Sequence, residues 1–468
     1  MIRSGWSGAG TAGLMMCALA LAGCGDEGPV APERTPAPEA ALRAAPADRY
    51  IVLMKEGRAG GLGARGLSTD LARVGGRVER LHAEIGVLQA RLTASAAADL
   101  IRQPDVEAVV KDRMVQWLPP SERGARGLQA LPARQSNQRT AAFYDEQWNI
   151  RRIKAPQAWN ASNQGRGVTV CILDTGVDPR HIDMAGKLDL SLSTSFVATE
   201  RADRDFDLHG TAMASIVTTN GIGIASVAPD TRVCSVKVLD RTGSGTFGDV
   251  TAGIMYVGTA GAIDGGARVS VANMSLGALL PANDPDVKAL ARAMQRAVNF
   301  STKRGVLFVA SAGNEASNLN DPSLIHLPSS LDNVLSVGAT GPIGQKRFDH
   351  LASYSNVGRA GVDVFAPGGE FVFPQNVLDD LILAACSSST RVPGFEDCAG
   401  GRSFLFLAGT SPAAAHVSGE AAVIQAELPG VQTPAQLTAC ILQTADPLPR
   451  PSLSASGRIN VFAGQACH

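Results

Sequence analysis

Short apolar runs recur along the chain from residue 143 onward, and longer helix-like stretches separate them. The runs are rich in β-branched residues, which is typical of strands buried on both faces of a parallel sheet. Their alternation with helices predicts an α/β domain over residues 143–468, with a mainly parallel sheet flanked by helices in three layers. The runs lie at residues 168–173, 233–239, 269–274, 306–310 and 334–337.

A pattern of shorter elements precedes this domain. In chain order it predicts a strand at 49–54, a helix that includes Leu71 and Val74, a strand at 87–92, a helix at 95–102 and a strand at 106–110. We interpret this order as a small ferredoxin-like α+β unit of β-α-β-β-α-β type over residues 48–118. Residues 119–142 are polar, Arg-rich and interrupted by Pro and Gly, which predicts an exposed linker.

The first residues have the pattern of an export signal. Arg3 is the sole charge before an apolar run at 14–22, which is too short to span a bilayer comfortably. The run ends in Leu-Ala-Gly-Cys24, which resembles a bacterial lipobox, in which the signal (residues 1–23) is removed and the cysteine carries acyl chains. The alternative is an ordinary secretory signal with an incidental cysteine. Either way we expect export, to the outer side of a bacterial membrane or into the medium, with residues 24–47 as a flexible Pro- and Ala-rich tether.

Composition narrows the function classes. A formal net charge of -1 provides no field for binding nucleic acid. Export permits disulfides, and the neighbouring pairs Cys386 with Cys398 and Cys440 with Cys467 are expected, although sequence alone does not fix connectivity. Cys171 and Cys234 lie in strand-like runs and are expected to be unpaired core thiols. No CxxC or His-rich cluster in the sequence suggests a transition metal.

Three short blocks supply the residue types of a nucleophilic hydrolase. Asp174-Thr175-Gly176 follows a predicted strand, His209-Gly210-Thr211 opens a helix-like stretch, and Ser411 lies in a turn that leads into another helix. A serine hydroxyl is a weak nucleophile unless a base takes its proton, and a carboxylate must orient that base. Sites in parallel α/β sheets form at the carboxyl ends of strands, so these three side chains can converge.

The blocks resemble those of the subtilisin-like serine proteases, the subtilase or S8 family, from about residue 143 to the end of the sequence. The matching segments are DTGVD, HGTAMASI, SAGN and GTSPAAAHVSG, in the family's order. The resemblance implies that Ser411 is the nucleophile, His209 the general base and Asp174 its orienting carboxylate. It also implies that Asn314 and the Ser411 backbone N–H form the oxyanion hole. Taken singly, each residue could serve only as a cap, a turn residue or a structural histidine.

Two positions depart from the family pattern. Pro412 follows the serine where methionine is common, and Ala415 stands where proline is common. Proline is compatible with the first turn of a helix, so these changes concern packing more than activity. We assign His416 to packing or hydrogen bonding within the serine helix. A segment at 368–403 is longer than usual for the family and is expected to border the cleft, either shaping specificity or stiffening a loop.

The resemblance also implies a substrate cleft. Two backbone segments are expected to sandwich an extended peptide, and such main-chain pairing tolerates many sequences. Phe247 is expected to line the pocket for the fourth residue before the cleaved bond. Glu315 either faces the pocket for the residue just before that bond or is a solvated surface residue. The two segments consist of Gly243, Ser244, Gly245 and Phe247, and of Ser275, Leu276 and Gly277.

A structural calcium ion is a further expectation from the family. Asp183 matches a carboxylate ligand of the family's strong site, and the loop from Asn220 supplies one amide oxygen and the carbonyls of Ile222 and Ile224. Calcium requires six to eight oxygens, which such a loop can help to provide. Asp145 is a candidate N-terminal ligand. The alternative is a loop stabilised by ordinary hydrogen bonds.

Together these features predict an exported serine endopeptidase of broad specificity that acts through an acyl-enzyme and needs no cofactor for catalysis. The unit at 48–118 resembles the I9-type inhibitory propeptide of subtilases, so we expect a self-processed zymogen. The expected partners are protein or peptide substrates, the chain's own propeptide and, through Cys24, a membrane; we expect a monomer. One alternative is a retired protease fold that serves as an anchored binding protein. Another, an α/β-hydrolase esterase, lacks support because no G-x-S-x-G surrounds the serine.

Overall fold

The computed structural model describes most of the chain. The described residues are 49–56, 66, 71, 76–118, 125–130, 137–160, 163–260, 269–371, 378–428, 433–449 and 456–467. The predicted signal with Cys24, the tether and Val74 lie outside these ranges. Among the described residues, no helix is long and apolar enough to cross a membrane.

The N-terminal part forms a four-stranded antiparallel sheet, called here the leader sheet, in the order β2-β3-β1-β4. Leu71 is helical and buried, and helix α1 lies between β3 and β4 with the Thr93 hydroxyl accepting from Ala96 N at 3.2 Å as its cap. The described elements agree with the predicted β-α-β-β-α-β order, in which the position of the strand β2 had not been located from the sequence. The bounds are β1 (Arg49–Met54), β2 (Arg77–His82), β3 (Val87–Arg91), α1 (Ala94–Leu100) and β4 (Val106–Lys111).

Two further strands follow in the region before the main domain. Strand β5 (Met114–Gln116) pairs with a strand of the main domain, and β6 (Ala125–Ala130) joins a small three-stranded sheet with β17 and β18. Strand β17 spans Ile382–Ala385 and β18 spans Ser403–Leu407. The strands β5 and β6 therefore both pair with strands of the main domain.

The main domain is built on a seven-stranded sheet in which every described pairing is parallel. Its order is β16-β15-β13-β11-β7-β9-β8. This confirms the predicted α/β architecture, and the predicted runs at 168–173, 233–239, 269–274, 306–310 and 334–337 correspond to five of the strands. The strands are β7 (Thr169–Asp174), β8 (Thr194–Ser195), β9 (Arg232–Lys237), β11 (Val271–Met274), β13 (Leu307–Ser311), β15 (Val334–Thr340) and β16 (Val364–Pro367).

Helices cover both faces of this sheet. In strand β7 the alternate side chains of Val170 and Ile172 pack in one core, whereas Cys171 and Leu173 pack in the other. The first core contains α4 (His209–Val217) and α7 (Thr410–Glu427), and the second contains α5 (Phe247–Thr259) and α6 (Pro285–Thr302). Full burial on both sides explains why the strands read as continuous apolar runs.

Shorter elements complete the described domain. They are α2 (Trp148–Arg152), α3 (Ala155–Ala158), α8 (Pro434–Thr444), α9 (Val461–Gly464), β10 (Ser244–Thr246) and the pair β12 (Ala278–Pro281) and β14 (Leu324–Leu327).

The cysteines give one correction. Cys386 is bonded to Cys398 and Cys440 to Cys467, which confirms those two expected pairs. Cys171 and Cys234 are also disulfide-bonded, so the prediction of unpaired thiols is wrong. The two residues lie directly opposite each other on the adjacent strands β7 and β9. A sequence separation of 63 residues hid this neighbourhood, because it depends on the order of strands in the sheet.

Candidate active site

Asp174 and His209 meet at the carboxyl end of the central sheet. Asp174 is the last residue of β7 and His209 is the first residue of α4. The Nδ1 atom of His209 lies 2.9 Å from both carboxylate oxygens of Asp174, and both side chains are buried. A carboxylate in this position holds the proton on Nδ1, so the Nε2 atom is the one that can accept a proton.

Ser411 lies in the first turn of α7, which packs against α4. Its hydroxyl donates to the carbonyl of Ser275 at 3.2 Å, and the Ser275 hydroxyl donates to the Ser411 carbonyl at 2.7 Å. Asn273 in β11 donates to the Ser275 hydroxyl at 2.9 Å. The serine is thereby fixed against the segment that follows strand β11.

Asn314 is oriented by the residue before the serine. Its Oδ1 atom accepts from the Thr410 backbone N–H at 2.8 Å and from the Thr410 hydroxyl at 2.9 Å. Because a backbone N–H can only donate, the amide oxygen must face Thr410, and the planar amide then directs its NH₂ group to the opposite side. The Thr410 hydroxyl in turn accepts from Gly313 N at 3.1 Å. The structure therefore links Asn314 to the start of the serine helix.

A buried polar layer beneath His209 went unnoticed in the sequence. Asp205 is fully buried and accepts from Leu208 N at 2.9 Å, Thr211 N at 2.8 Å and the Thr175 hydroxyl at 2.8 Å. Burial raises the pKa of Asp205, opposed by the charge of Lys237 and by the hydrogen bonds from Thr211 and from the Leu208 backbone. An aspartate just ahead of a predicted helix start is a capping signal, and it could have identified this residue.

Lys237 completes that layer. It is fully buried on β9 beside Asp174, forms an ion pair with Glu200 at 3.0 Å and donates to the Thr175 carbonyl. The turn after Asp174 is thus held from two sides. The apolar run in which Lys237 lies gave no indication that the charged side chain of this residue would be fully buried.

The predicted cleft segments do sandwich an extended chain, and that chain is the protein's own. Strand β5 pairs antiparallel with β10, with Gly245 opposite Val115. The chain continues so that Leu118 N donates to the Gly243 carbonyl at 3.2 Å, while Gly277 N donates to the Trp117 carbonyl at 3.2 Å. We call residues 114–118 the leader strand. It lies between the two segments that the sequence predicted for substrate binding.

Phe247 lines a pocket that Trp117 fills. The two rings meet edge to face with centroids 5.0 Å apart, and the indole N–H donates to the Gly245 carbonyl at 3.0 Å. Trp117 is buried, so the contact combines apolar burial with a satisfied polar tip.

Glu315 is half-buried rather than solvated. Its carboxylate accepts from the Asn356 amide at 2.6 Å beside Gly313. The neighbouring His326 was not singled out in the sequence, and its imidazole stands between two glycines. A Cβ atom placed on Gly277 would lie 2.1 Å from its Cε1, and one on Gly313 would lie 2.5 Å from its Nε2. The ring therefore fills the space between these two backbone segments next to the cleft.

His416 plays the structural role assigned to it. Its ring interacts with the Pro412 carbonyl at 2.7 Å and with the Asn149 amide at 2.8 Å. Burial lowers its pKa to about 4, so the ring is neutral near pH 7. Pro412 and Ala415 are both accommodated, buried, within the regular helix α7.

The residues expected to bind calcium lie together. The two carboxylate oxygens of Asp183 accept from Ile222 N at 2.7 Å, Gly223 N at 2.8 Å and Ile224 N at 3.1 Å. The Asn220 amide donates to the carbonyls of Ile182 and Ala185, which fixes its orientation. N-terminal residues also reach this loop: the Gln138 amide donates to the Thr219 carbonyl at 2.9 Å, and Ala142 N donates to the Ile222 carbonyl at 3.0 Å.

The carboxylate, the amide and the two carbonyls are oxygen donors, the atoms that calcium prefers, and the Asp183 carboxylate already accepts hydrogen bonds from three backbone N–H groups. The carbonyls of Ile222 and Ile224 each accept one hydrogen bond and retain a second lone pair. Among the described residues, no group of three or more His, Cys, Asp and Glu side chains could hold a metal ion.

Known proteins that are similar in sequence to this chain include several proteases. Residues 165–460 match the pattern of the Subtilase family. The chain is 33% identical over 292 residues to a thermophilic serine proteinase of Bacillus sp. (strain AK1), covering 62% of this chain and 59% of that protein. It is 30% identical to an alkaline protease of Alkalihalobacillus alcalophilus over 82% of this chain and 83% of the other, and 32% identical to Subtilisin Savinase of Lederbergia lenta over 68% and 97%.

Solved structures show the same fold. The epidermin leader peptide processing serine protease of Staphylococcus aureus superposes with a TM-score of 0.70 at 22% identity, covering 89% of this chain and 97% of that one. A lanthipeptide protease gives 0.60 at 23% identity over 72% and 99%.

Proposed function

This chain belongs to the subtilase family and is a serine-type endopeptidase, and from that premise we propose that Asp174, His209 and Ser411 are its catalytic triad. The observation that carries the proposal is the contact of His209 Nδ1 with both oxygens of Asp174 at 2.9 Å, on a helix packed against the one that carries Ser411. This packing supports a common site for three blocks that are distant in sequence.

The reaction follows from these positions. The Ser411 oxygen attacks the peptide carbonyl while His209 Nε2 takes the hydroxyl proton, and the resulting imidazolium is stabilised by Asp174. Collapse of the tetrahedral intermediate breaks the C–N bond, and His209 gives its proton to the leaving amine. Water then attacks the acyl-enzyme, with His209 again as the base, and the acid product leaves with Ser411 restored.

Negative charge develops on the carbonyl oxygen during both attacks. The Asn314 NH₂ group and the Ser411 backbone N–H at the start of α7 are the donors proposed to stabilise it. Supporting this role, both hydrogen bonds to Asn314 Oδ1 come from Thr410, so the amide is fixed before substrate arrives. A fixed donor loses little energy to reorganisation when the charge forms.

A covalent probe tests the triad against the alternative of a retired, anchored binding protein. A fluorophosphonate should label the processed enzyme at Ser411, and S411A should show no labelling and no peptidase activity. H209A should label far more slowly. An unlabelled wild-type protein that is folded and free of its leader would favour the binding-protein alternative.

We further propose that residues 48–118 are an inhibitory propeptide and that the protein is a zymogen. Supporting this, the leader strand occupies the cleft, and the leader sheet makes ion pairs and hydrogen bonds with α5 and α6. Asp112 accepts from Gly248 N at 2.9 Å, and Glu107 pairs with Arg292 at 2.7 Å. Arg296 donates to the Met54 carbonyl at 2.7 Å.

Self-processing is tested with purified protein. The S411A precursor should retain residues 49–118 indefinitely, whereas the wild type should lose them at a rate that does not depend on protein concentration. Maturation of purified S411A would show that another protease makes the cut. Broad specificity is proposed because the leader strand is held mainly through backbone hydrogen bonds, which do not read side chains.

Two further parts of the proposal concern calcium and location. Calcium would be held by Asp183, Asn220, Ile222 and Ile224, and it would stabilise the loop without taking part in catalysis. Export, with a lipid on Cys24, is proposed from the signal-like residues 1–23. Palmitate labelling of the precursor that is lost in C24S would support the anchor, and a wild-type precursor without lipid would refute it.

A further inference from the structure

Leu208, the residue directly before the proposed catalytic base, has a strained backbone. Its φ is 131° and its ψ is -20°, a region that residues with a Cβ atom rarely adopt. Leu208 is buried, so its side chain anchors it in the core. Such a conformation relaxes unless neighbouring groups hold it, and a change at Leu208 would rotate the start of α4, where His209 lies.

Two sets of contacts hold this position. The first comes from within the loop: Asp205 accepts from Leu208 N and Thr211 N, as described above. The second comes from outside, from the segment between Cys386 and Cys398, which we call the bracing segment. We call residues 205–208 the histidine loop.

The bracing segment donates to three consecutive carbonyls of the histidine loop. The Ser387 hydroxyl donates to the Asp205 carbonyl at 2.7 Å. Arg391 N donates to the Phe206 carbonyl at 2.7 Å, and the Thr390 hydroxyl donates to the Asp207 carbonyl at 2.6 Å. The carbonyls of the three residues before Leu208 are therefore all held by one segment.

That segment is itself anchored to the domain. Cys386 directly follows β17, its disulfide with Cys398 closes the segment, and Phe395 packs in the core that contains α4 and α7. A separate hydrogen bond, from the Ser403 hydroxyl to the Asp397 carbonyl at 2.9 Å, lies at the far end of the segment and is not one of these anchors. The loop is thus braced by a segment that a disulfide closes and the buried Phe395 anchors.

We propose that the bracing segment is a positioning element for catalysis: it holds Leu208 in its strained conformation and so keeps the His209 imidazole in place against Asp174. The inference rests on the proposed role of His209. Thr390 and Ser387 are positioning residues, since they act through the histidine loop and touch neither substrate nor reacting atoms. Sequence left open whether this part of the chain shapes specificity or stiffens a loop, and these contacts favour the second role.

T390V tests the proposal, because it removes the hydroxyl donor and preserves the shape of the side chain. We expect kcat to fall about tenfold, since a displaced base slows proton transfer in every turnover, and about tenfold corresponds to one lost hydrogen bond of ordinary strength. KM should stay within about twofold, because the histidine loop is not part of the cleft segments. Fluorophosphonate titration counts active sites, so that kcat is expressed per folded enzyme.

Variants of Leu208 separate strain from simple destabilisation. L208A and L208G both lose the leucine side chain, but only glycine adopts the observed φ without strain. T390V should therefore cost about tenfold in kcat in the L208A background and less than about twofold in the L208G background. If neither variant folds, the double variant C386S/C398S replaces them, and it should lower kcat about tenfold with KM retained.

Two controls give each outcome a meaning. S403A removes a hydrogen bond to the bracing segment without touching the histidine loop, and it should leave kcat within about twofold of the wild type. Equal losses in S403A and T390V, or equal effects of T390V in both Leu208 backgrounds, would overturn the positioning role. Normal turnover in T390V with an inactive S411A would also overturn it and leave the triad intact. Activity in S411A would instead refute the proposed function.

Discussion

Glu420 lies in the interior of helix α7, which also carries Ser411, and it is fully buried. Burial raises its pKa to about 8, and the charge of Asp446 adds to this, while Arg458 and the Asn460 backbone oppose it. The strong hydrogen bonds of Arg458 go to Asp349 and Asp446, so the arginine charge is largely committed elsewhere. We therefore expect Glu420 to be protonated in the folded protein near pH 7.

The replacement E420Q should make the protein more stable at alkaline pH. A rise in pKa from 4.5 to about 8 corresponds to on the order of 5 kcal/mol, at about 1.4 kcal/mol for each tenfold change in the ionisation equilibrium. Below pH 4.5 the carboxyl is protonated in both states. Between pH 4.5 and 8 the unfolded chain loses the proton first, so the stability contributed by the protonated group falls as pH rises, and above pH 8 it is lost.

The assay is urea unfolding followed by tryptophan fluorescence, on S411A so that self-digestion does not interfere. E420Q/S411A and S411A should have similar free energies of unfolding at pH 5, and at pH 9 the glutamine variant should be the more stable by several kcal/mol. E427Q, at the end of the same helix, is the matched control and should show no such divergence. A difference between E420Q and its parent that is the same at pH 5 and pH 9 would refute the reasoning.

The remaining predictions concern turnover, the loop at Asp183 and the cleft. N314L should lower kcat by roughly 100-fold or more, about the effect known for the loss of such a donor in subtilisin, with little change in KM; near-normal turnover would remove Asn314 from the oxyanion hole. Chelator should speed thermal inactivation and added calcium should reverse this in the wild type but not in D183N, because an ion that binds only the folded state stabilises by mass action; an unchanged rate would exclude the ion. H326G should raise kcat/KM at least tenfold for peptides with Phe or Leu just before the cleaved bond relative to peptides with Ala there, because removal of the imidazole opens space between Gly277 and Gly313; an unchanged ratio would place that side chain elsewhere.

Sequence was most informative where chemistry and chain order coincide. The runs that became β7, β9, β11, β13 and β15 follow from burial on both faces, which leaves a local signature. The positions of Asp174 and His209 at strand and helix ends were also predictable, because residue type and boundary can be read together. The contacts that fix the positions of Asp174 and His209 come from other parts of the chain and cannot be read from these blocks.

The features that sequence missed depend on contacts between distant parts of the chain. The Cys171–Cys234 disulfide follows from the adjacency of β7 and β9, and the role of Asp205 follows from where Thr175 and Thr211 meet. His326 lies in β14, which pairs with β12, and its ring reaches Gly277 only when these two strands come together. The periodicity of apolar residues along the sequence does not show which distant residues come into contact. The strain at Leu208 is likewise invisible in a residue that reads as an ordinary apolar position.

The contacts of the leader sheet with α5 and α6 would determine where the peptidase is located after processing. Cys24, the proposed lipid site, and residues 48–118 lie on the same side of the proposed cut, so processing would leave the anchor on the inhibitor and none on the peptidase. From that moment noncovalent contacts would retain the peptidase at the membrane, among them those at Gly248, Arg292 and Arg296 and the pairing of β5 with β10. Inhibition and membrane retention would then end in the same dissociation event, so that an enzyme molecule would become active as it diffuses away from the surface.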